Sequence, residues 1–180
     1  MSDIDQFARQ LLEEAKRFFE RANSGESDDA THAFLHAALM LGFCAFEAHL
    51  NSVAEDFLVR DELNVLESAI LSEKDFKLDD GEFTITQGLK MYRLTDHIEF
   101  IFRRFFGNAI DKSQGWWVNL KAALNTRNDL IHPKQQTEVS KGAVEAALKA
   151  IIQTLGALYK AVYRRPYPPS TRGLNSTMDF

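Results

Sequence analysis

The run Arg127-Asn128-Asp129-Leu130-Ile131-His132-Pro133 gathers a guanidinium, polar side chains and an imidazole just ahead of a proline. Leu120, Leu124, Arg127 and Ile131 recur at three- and four-residue spacing, and Leu124, Asn128 and His132 form the stripe beside them. On a helix these rows set Arg127, Asn128 and His132 along one edge of an apolar face, and Pro133 fixes the exit. An imidazole can give or take a proton near neutral pH. A guanidinium can grip a phosphate through paired N–H donors and stabilise charge developing on it. Asn128 can orient the imidazole or bind a phosphate oxygen. These parts suit transesterification of RNA: the ribose 2′-hydroxyl attacks the adjacent phosphate, His132 handles a proton, and Arg127 stabilises the pentacoordinate state. That chemistry requires no metal and no cofactor. The same residues also fit a plain helix end, with a capping His132 and with Arg127 paired to Asp129 or Glu47.

Glu47 enters because of where it lies. The second predicted helix, from Asp28 or Asp29 to about Val59, is apolar almost all the way round over residues 37–46, so it is central and surrounded. Glu47 and Asn51 interrupt it on the stripe Met40, Cys44, Glu47, Asn51, Ala54, Leu58. A carboxylate there is costly unless paired, and Arg127 is one candidate partner; solvation at the helix edge is the other solution. His32 and His36 stand four apart, a spacing that can chelate a metal. The glutamate of a zinc protease motif is missing and no third ligand is evident, so no metal site is expected. His49 and His97 read as lone packing or surface histidines.

The remaining elements form a frame. Residues 3–22 carry Ile4, Phe7, Leu11, Leu12, Ala15, Phe18 and Phe19 at helical spacing, and Gly25 stops that helix. Asp61 is the expected cap of a short third helix. Phe76-Lys77-Leu78 and Glu82-Phe83-Thr84-Ile85 flank Asp79-Asp80-Gly81, a hairpin signal near residues 75–86. Thr95 or Asp96 starts a fourth helix that ends at Gly107-Asn108. The fifth begins near Ser113 and runs into the motif. The sixth spans about Ser140 to Tyr163 with a seam of Val144, Leu148, Ile151, Leu155, Leu158 and Val162. The pattern predicts an all-α, up-and-down bundle of about six helices with a small β-hairpin insertion, as a single domain over residues 1–165. Residues 166–180 read as an extended, basic, proline-rich tail that could cross onto a partner subunit.

Composition bounds the setting. The chain has 180 residues, 45% hydrophobic and 26% charged, which suits one soluble domain with a proper core. One cysteine, Cys44, rules out an internal disulfide. The first residues lack the basic start and apolar run of a signal peptide, and the apolar stretch over residues 37–48 is broken by Gly42 and Glu47 and reads as too short to span a bilayer. A cytoplasmic protein with no membrane partner is expected. The net charge is −5, yet residues 121–172 hold nine Lys/Arg against three acids, so that segment is +6 and the remainder −11. This asymmetry admits an anionic ligand beside the C-terminal third, with Lys121, Lys134, Arg164 and Arg165 as candidate RNA contacts.

An arginine, a polar residue and a histidine spaced in this way near a helix end, in a small helical chain, resemble the motif of the HEPN superfamily (higher eukaryotes and prokaryotes nucleotide-binding). The resemblance covers roughly residues 28–163. The long helix with Phe46-Glu47-Ala48-His49-Leu50-Asn51 looks like the family's helix with its embedded acidic residue, and the seam from Val144 to Val162 looks like the helix after the motif. The resemblance implies a dimer whose two motifs face each other across a cleft, and a metal-independent endoribonuclease acting as a toxin or in antiviral defence. It implies Arg127 and His132 as the catalytic pair and Asn128 as polar auxiliary, supported by Glu47, Asn51 and Asp129. An antitoxin protein is then a further possible partner. Members silenced by nucleotidyl transfer carry a tyrosine two residues after the histidine; Lys134 stands there, so that silencing is not expected.

Three readings follow. The first is an RNA-cleaving homodimer. The second is a non-catalytic helical module of the same fold that binds a nucleotide or a protein partner. The third is a metal-binding bundle using His32 and His36.

Overall fold

The computed structural model describes residues 3–25, 27–59 and 62–180. Six helices and one hairpin follow in the order α1 (Asp3–Ala22), α2 (Asp28–Leu58), α3 (Val65–Leu71), β1 (Lys74–Asp79), β2 (Glu82–Leu89), α4 (Leu94–Phe106), α5 (Gly115–Ile131) and α6 (Lys141–Tyr163), with a short 3-10 turn at Pro168–Arg172. This is an all-α six-helix bundle with a small antiparallel hairpin insertion.

Local chemistry sets the boundaries. Ser27, rather than Asp28 or Asp29, caps α2 by accepting from the Ala30 amide at 3.3 Å. Asp61 lies outside the described residues; the cap of α3 is Asn64, which exchanges hydrogen bonds with Glu67 in a capping box. The helix α4 starts earlier than expected, after Arg93, and stops at Gly107, whose φ of 70° is left-handed. The helix α5 starts after Gln114, because Asp111 holds Ser113 and Gln114 in a preceding turn. Ser140, the expected start of the sixth helix, is the cap of α6 and accepts from the Ala143 amide. At the hairpin tip Asp80 and Gly81 both have positive φ, 49° and 87°, the requirement of a tight two-residue turn.

The helix α2 is the axis of the bundle. Leu35, Ala38, Leu39, Phe43, Phe46, Leu50, Val53 and Phe57 are all nearly solvent-free. By length and hydropathy α2 would suffice to cross a membrane, contrary to the shorter estimate from its broken apolar stretch; half of that window is buried inside the bundle. Glycine at position 42 lets α6 approach: a Cβ there would stand 2.7 Å from Leu148 Cδ2. Side-chain pairings give the directions. Gly42 lies at Leu148 and Asp56 at Tyr163, so α6 runs parallel to α2. Phe57 stacks on Phe105 at 3.6 Å, with His97 and Leu50 beside one hollow, so α4 also runs parallel to α2. Strict up-and-down order is therefore broken between α2 and α4, where α3 and the hairpin carry the chain back.

Residues 166–180 are not an extended arm. Tyr167 is fully buried, and its hydroxyl lies 2.8 Å from His49 Nε2. Beyond the 3-10 turn the chain returns along α1: the Thr177 amide donates to Glu13 Oε2 at 2.7 Å, the Ser176 amide to Glu20 Oε1 at 2.8 Å, and Arg17 Nη2 to the Phe180 carbonyl at 2.8 Å. The prolines end α6 as expected, but the acids of α1 and the apolar gap under Tyr167 then hold the segment down.

Candidate functional site

Leu120 and Ala123 of the motif helix are buried in the core, and on the following turn the Arg127 side chain reaches the long helix. Arg127 Nη2 donates to Glu47 Oε1 at 3.1 Å, and Nη1 donates to Asn128 Oδ1 at 3.1 Å. The guanidinium also lies over Phe43, 6.0 Å from the ring centroid. Its Nε is buried without a hydrogen-bond partner among the described residues. The two charged side chains keep 25% and 35% of their exposure, so the pair belongs to the rim of the core and contributes at most about 1 kcal/mol. Of the two solutions open to Glu47 in the sequence, pairing with Arg127 is the one found.

Pro133 disfavours helical backbone at the residue before it, and α5 ends accordingly. His132 leaves the helix with φ −120° and ψ 60°, while its amide still donates to the Asn128 carbonyl at 2.8 Å. Its ring is exposed, as are Asn128 and Asp129. Asp129 is not the partner of Arg127; its carbonyl accepts from Thr137 Oγ1 at 3.2 Å and so ties the following loop to the helix end.

Two hollows flank this helix end. One, of about 570 Å³, lies between α2, the strand-to-α4 segment and α5, and holds Glu47, Asn51, Lys121, Arg127 and Asn128. The other, of about 770 Å³, holds Asn128, Asp129, His132 and Lys134. Asn128 borders both. Arg127 and His132 therefore do not open onto a common hollow within one chain. The stripes on the helical net suggested a shared edge, but five residues turn about 140° round the axis, and Asn128 alone bridges the gap.

Arg164 and Arg165 line neither hollow. Arg165 lies over the Tyr163 ring, 5.3 Å from its centroid, and Arg164 takes the left-handed turn that ends α6. Tyr163 meets Asp56, nine residues along α2 from Glu47, and His132 lies five residues beyond Arg127 on an antiparallel helix. At 1.5 Å per residue these arginines stand roughly 20 Å from His132 along the bundle. His32 and His36 line a separate hollow of about 510 Å³ with Glu138. Among the described residues no group of three or more His, Cys, Asp or Glu side chains is placed to hold a metal ion.

The sequence did not point to the other wall of the first hollow. Glu73, Tyr92, Arg93 and His97 line it from the connection around the hairpin and the start of α4. Burial, reinforced by the charge of Glu47, pushes the Glu73 carboxyl above its ordinary range, and burial pushes His97 down to about 4. Their only available signal was the lone polar character of His97 on an otherwise apolar turn with Ile98 and Ile101. Comparison of the chain with protein-family models, with curated proteins and with solved structures gives no match.

Proposed function

We propose that the protein is a metal-independent endoribonuclease of the HEPN type, working as a homodimer in a toxin or antiviral-defence role. The observation that carries this reading is the placement of Arg127 and His132 on opposite sides of Asn128, each beside its own hollow. A two-fold partner set against this helix end would bring the His132 of one chain towards the Arg127 of the other, which is how an isologous interface completes a site from two halves. In that reading the ribose 2′-hydroxyl attacks the neighbouring phosphate, His132 moves a proton, and Arg127 holds the developing charge, with Glu47 fixing the guanidinium's direction. Lys121 and Lys134 guide the phosphate backbone into the two hollows.

The test is cleavage of total RNA by wild type and His132→Ala in the presence of a chelator. Wild type alone leaves 2′,3′-cyclic phosphate ends. Equal cleavage by both proteins, or by neither, refutes the role of His132.

One observation favours a second reading. Arg127 is engaged by Glu47 and Asn128 within its own chain, which suits a non-catalytic helical module that binds a nucleotide or a protein partner at the first hollow. Nucleotide binding without cleavage would select it.

A further inference from the structure

The wall of the first hollow opposite Arg127 has a chemistry of its own. It includes His97, 2% exposed, with Nδ1 3.9 Å from Glu73 Oε1 and with a buried Nε2 that has no hydrogen-bond partner among the described residues. Glu73 keeps 19% of its side-chain exposure, and its carboxylate accepts the Tyr92 backbone amide. Tyr92 supplies a half-buried aromatic ring on the same wall, and Arg93 and Lys121 stand exposed at the rim. A volume of about 570 Å³ lies within the range that takes small organic ligands.

We propose that this wall is a nucleobase pocket, selective for guanine, that seats the base adjoining the phosphate held by Arg127. Aromatic side chains stack on unstacked bases, and single-stranded RNA is read along base edges by carboxylates and amides. The Watson–Crick edge of guanine presents two neighbouring N–H donors, N1–H and N2–H, which match the two oxygens of one carboxylate. Adenine offers a single donor beside an acceptor, and uracil one donor between two acceptors; neither satisfies Glu73 in this way. Arg93 and Lys121 take the flanking phosphate. Two of the residues named, Glu73 and Tyr92, belong to the connection around the hairpin, which gives the insertion a task in choosing substrate.

The substrate class rests on the ribonuclease reading, but the pocket is tested without cleavage. The four nucleoside 3′-monophosphates are titrated calorimetrically into the full chain, with Glu73→Gln and Tyr92→Ala as variants whose folding is checked by circular dichroism. The expected result is guanosine 3′-monophosphate at least tenfold tighter than uridine 3′-monophosphate, with the preference lost in Glu73→Gln and all four weakened in Tyr92→Ala. Equal affinities for the four, or a guanosine preference unchanged by Glu73→Gln, overturns the pocket. A second arm maps the cleavage sites of wild type and Glu73→Gln by sequencing product ends. Guanosine selectivity with no RNA cleavage keeps the pocket and removes the ribonuclease; cleavage whose sequence preference ignores Glu73→Gln keeps the ribonuclease and removes the pocket.

Discussion

Acid should unfold this protein earlier than its carboxylates alone would dictate, because two histidines are buried neutral. His49 has no exposed surface. Its Nε2 lies 2.8 Å from the Tyr167 hydroxyl and its Nδ1 3.5 Å from Asp5 Oδ1, with Arg9 and Tyr159 also facing the ring. Burial drives its pKa down from 6.5 to about 4, against the pull of Asp5 and with the help of Arg9. Burial alone brings His97 to about 4. Both folded values lie below the unfolded one, so the unfolded chain binds more protons between pH 6.5 and 4. Their stabilisation is complete above that window and is lost as pH falls through it. Between pH 7.5 and 4.5 each histidine costs on the order of 2–3 kcal/mol, and together they remove about 5 kcal/mol, comparable to the whole stability of a marginal domain. Glu13 adds to the loss only lower down: burial raises it, but the Thr177 amide and Lys16 outweigh that and leave it below its ordinary 4.5. Glu73, raised by burial, acts in the opposite sense. Urea denaturation at pH 7.5, 6.5, 5.5 and 4.5 measures the slope, and His49→Gln should remove about half of it. A free energy that stays flat from pH 7.5 to 5 would refute the burial of neutral imidazoles as the cause.

Two further outcomes check the packing. Gly42→Val drives a branched side chain into Leu148 Cδ2, 2.7 Å from the position of a Cβ, and Ile151 Cδ1, 3.4 Å away. It should cost about 1–3 kcal/mol in denaturant unfolding, partly recovered by a paired Leu148→Ala. Tyr167→Ala empties a fully buried site between His49 and Tyr159 and leaves His49 Nε2 without its partner. It should cost about 3–5 kcal/mol, and limited proteolysis should then cut within residues 168–180, which resist in wild type.

Helical periodicity carried the six helices because their apolar faces bury in one common core, and the Asp-Gly tip carried the hairpin because only such residues take its positive φ readily. The Glu47–Arg127 pair was legible for the same reason: a carboxylate on a surrounded helix demands a cation, and Arg127 lay on the adjoining face. What escaped was what depends on tertiary path. Nothing in Pro166-Tyr167-Pro168-Pro169 tells that Tyr167 fills a gap beside His49, since the gap is made by α1, α2 and α6 together. Nor does residue spacing reveal Glu73 and His97 beside Arg127, because α3 and the hairpin had first to return the chain so that α4 ran parallel to α2.

The charge asymmetry of the sequence acquires a different meaning once the side chains are placed. The excess of nine basic residues over three acids in residues 121–172 suggested a cationic face near the motif. Arg172 instead pairs with Glu13, Lys149 with Glu145, and Arg164 and Arg165 stand at the far end of α6. Around the first hollow Arg93, Lys121 and Arg127 meet Glu47 and Glu73, a surplus of a single positive charge. Around the second, Lys134 meets Asp129 and Glu138, an excess of a single negative charge. One helix end in one chain is thus a poor electrostatic trap for a polyanion. A strand of RNA bound as proposed would gain its binding from shape and base contacts, or from two such ends brought together. In the proposed ribonuclease a base pocket and a two-chain site would each supply what the weak local field of a lone motif does not.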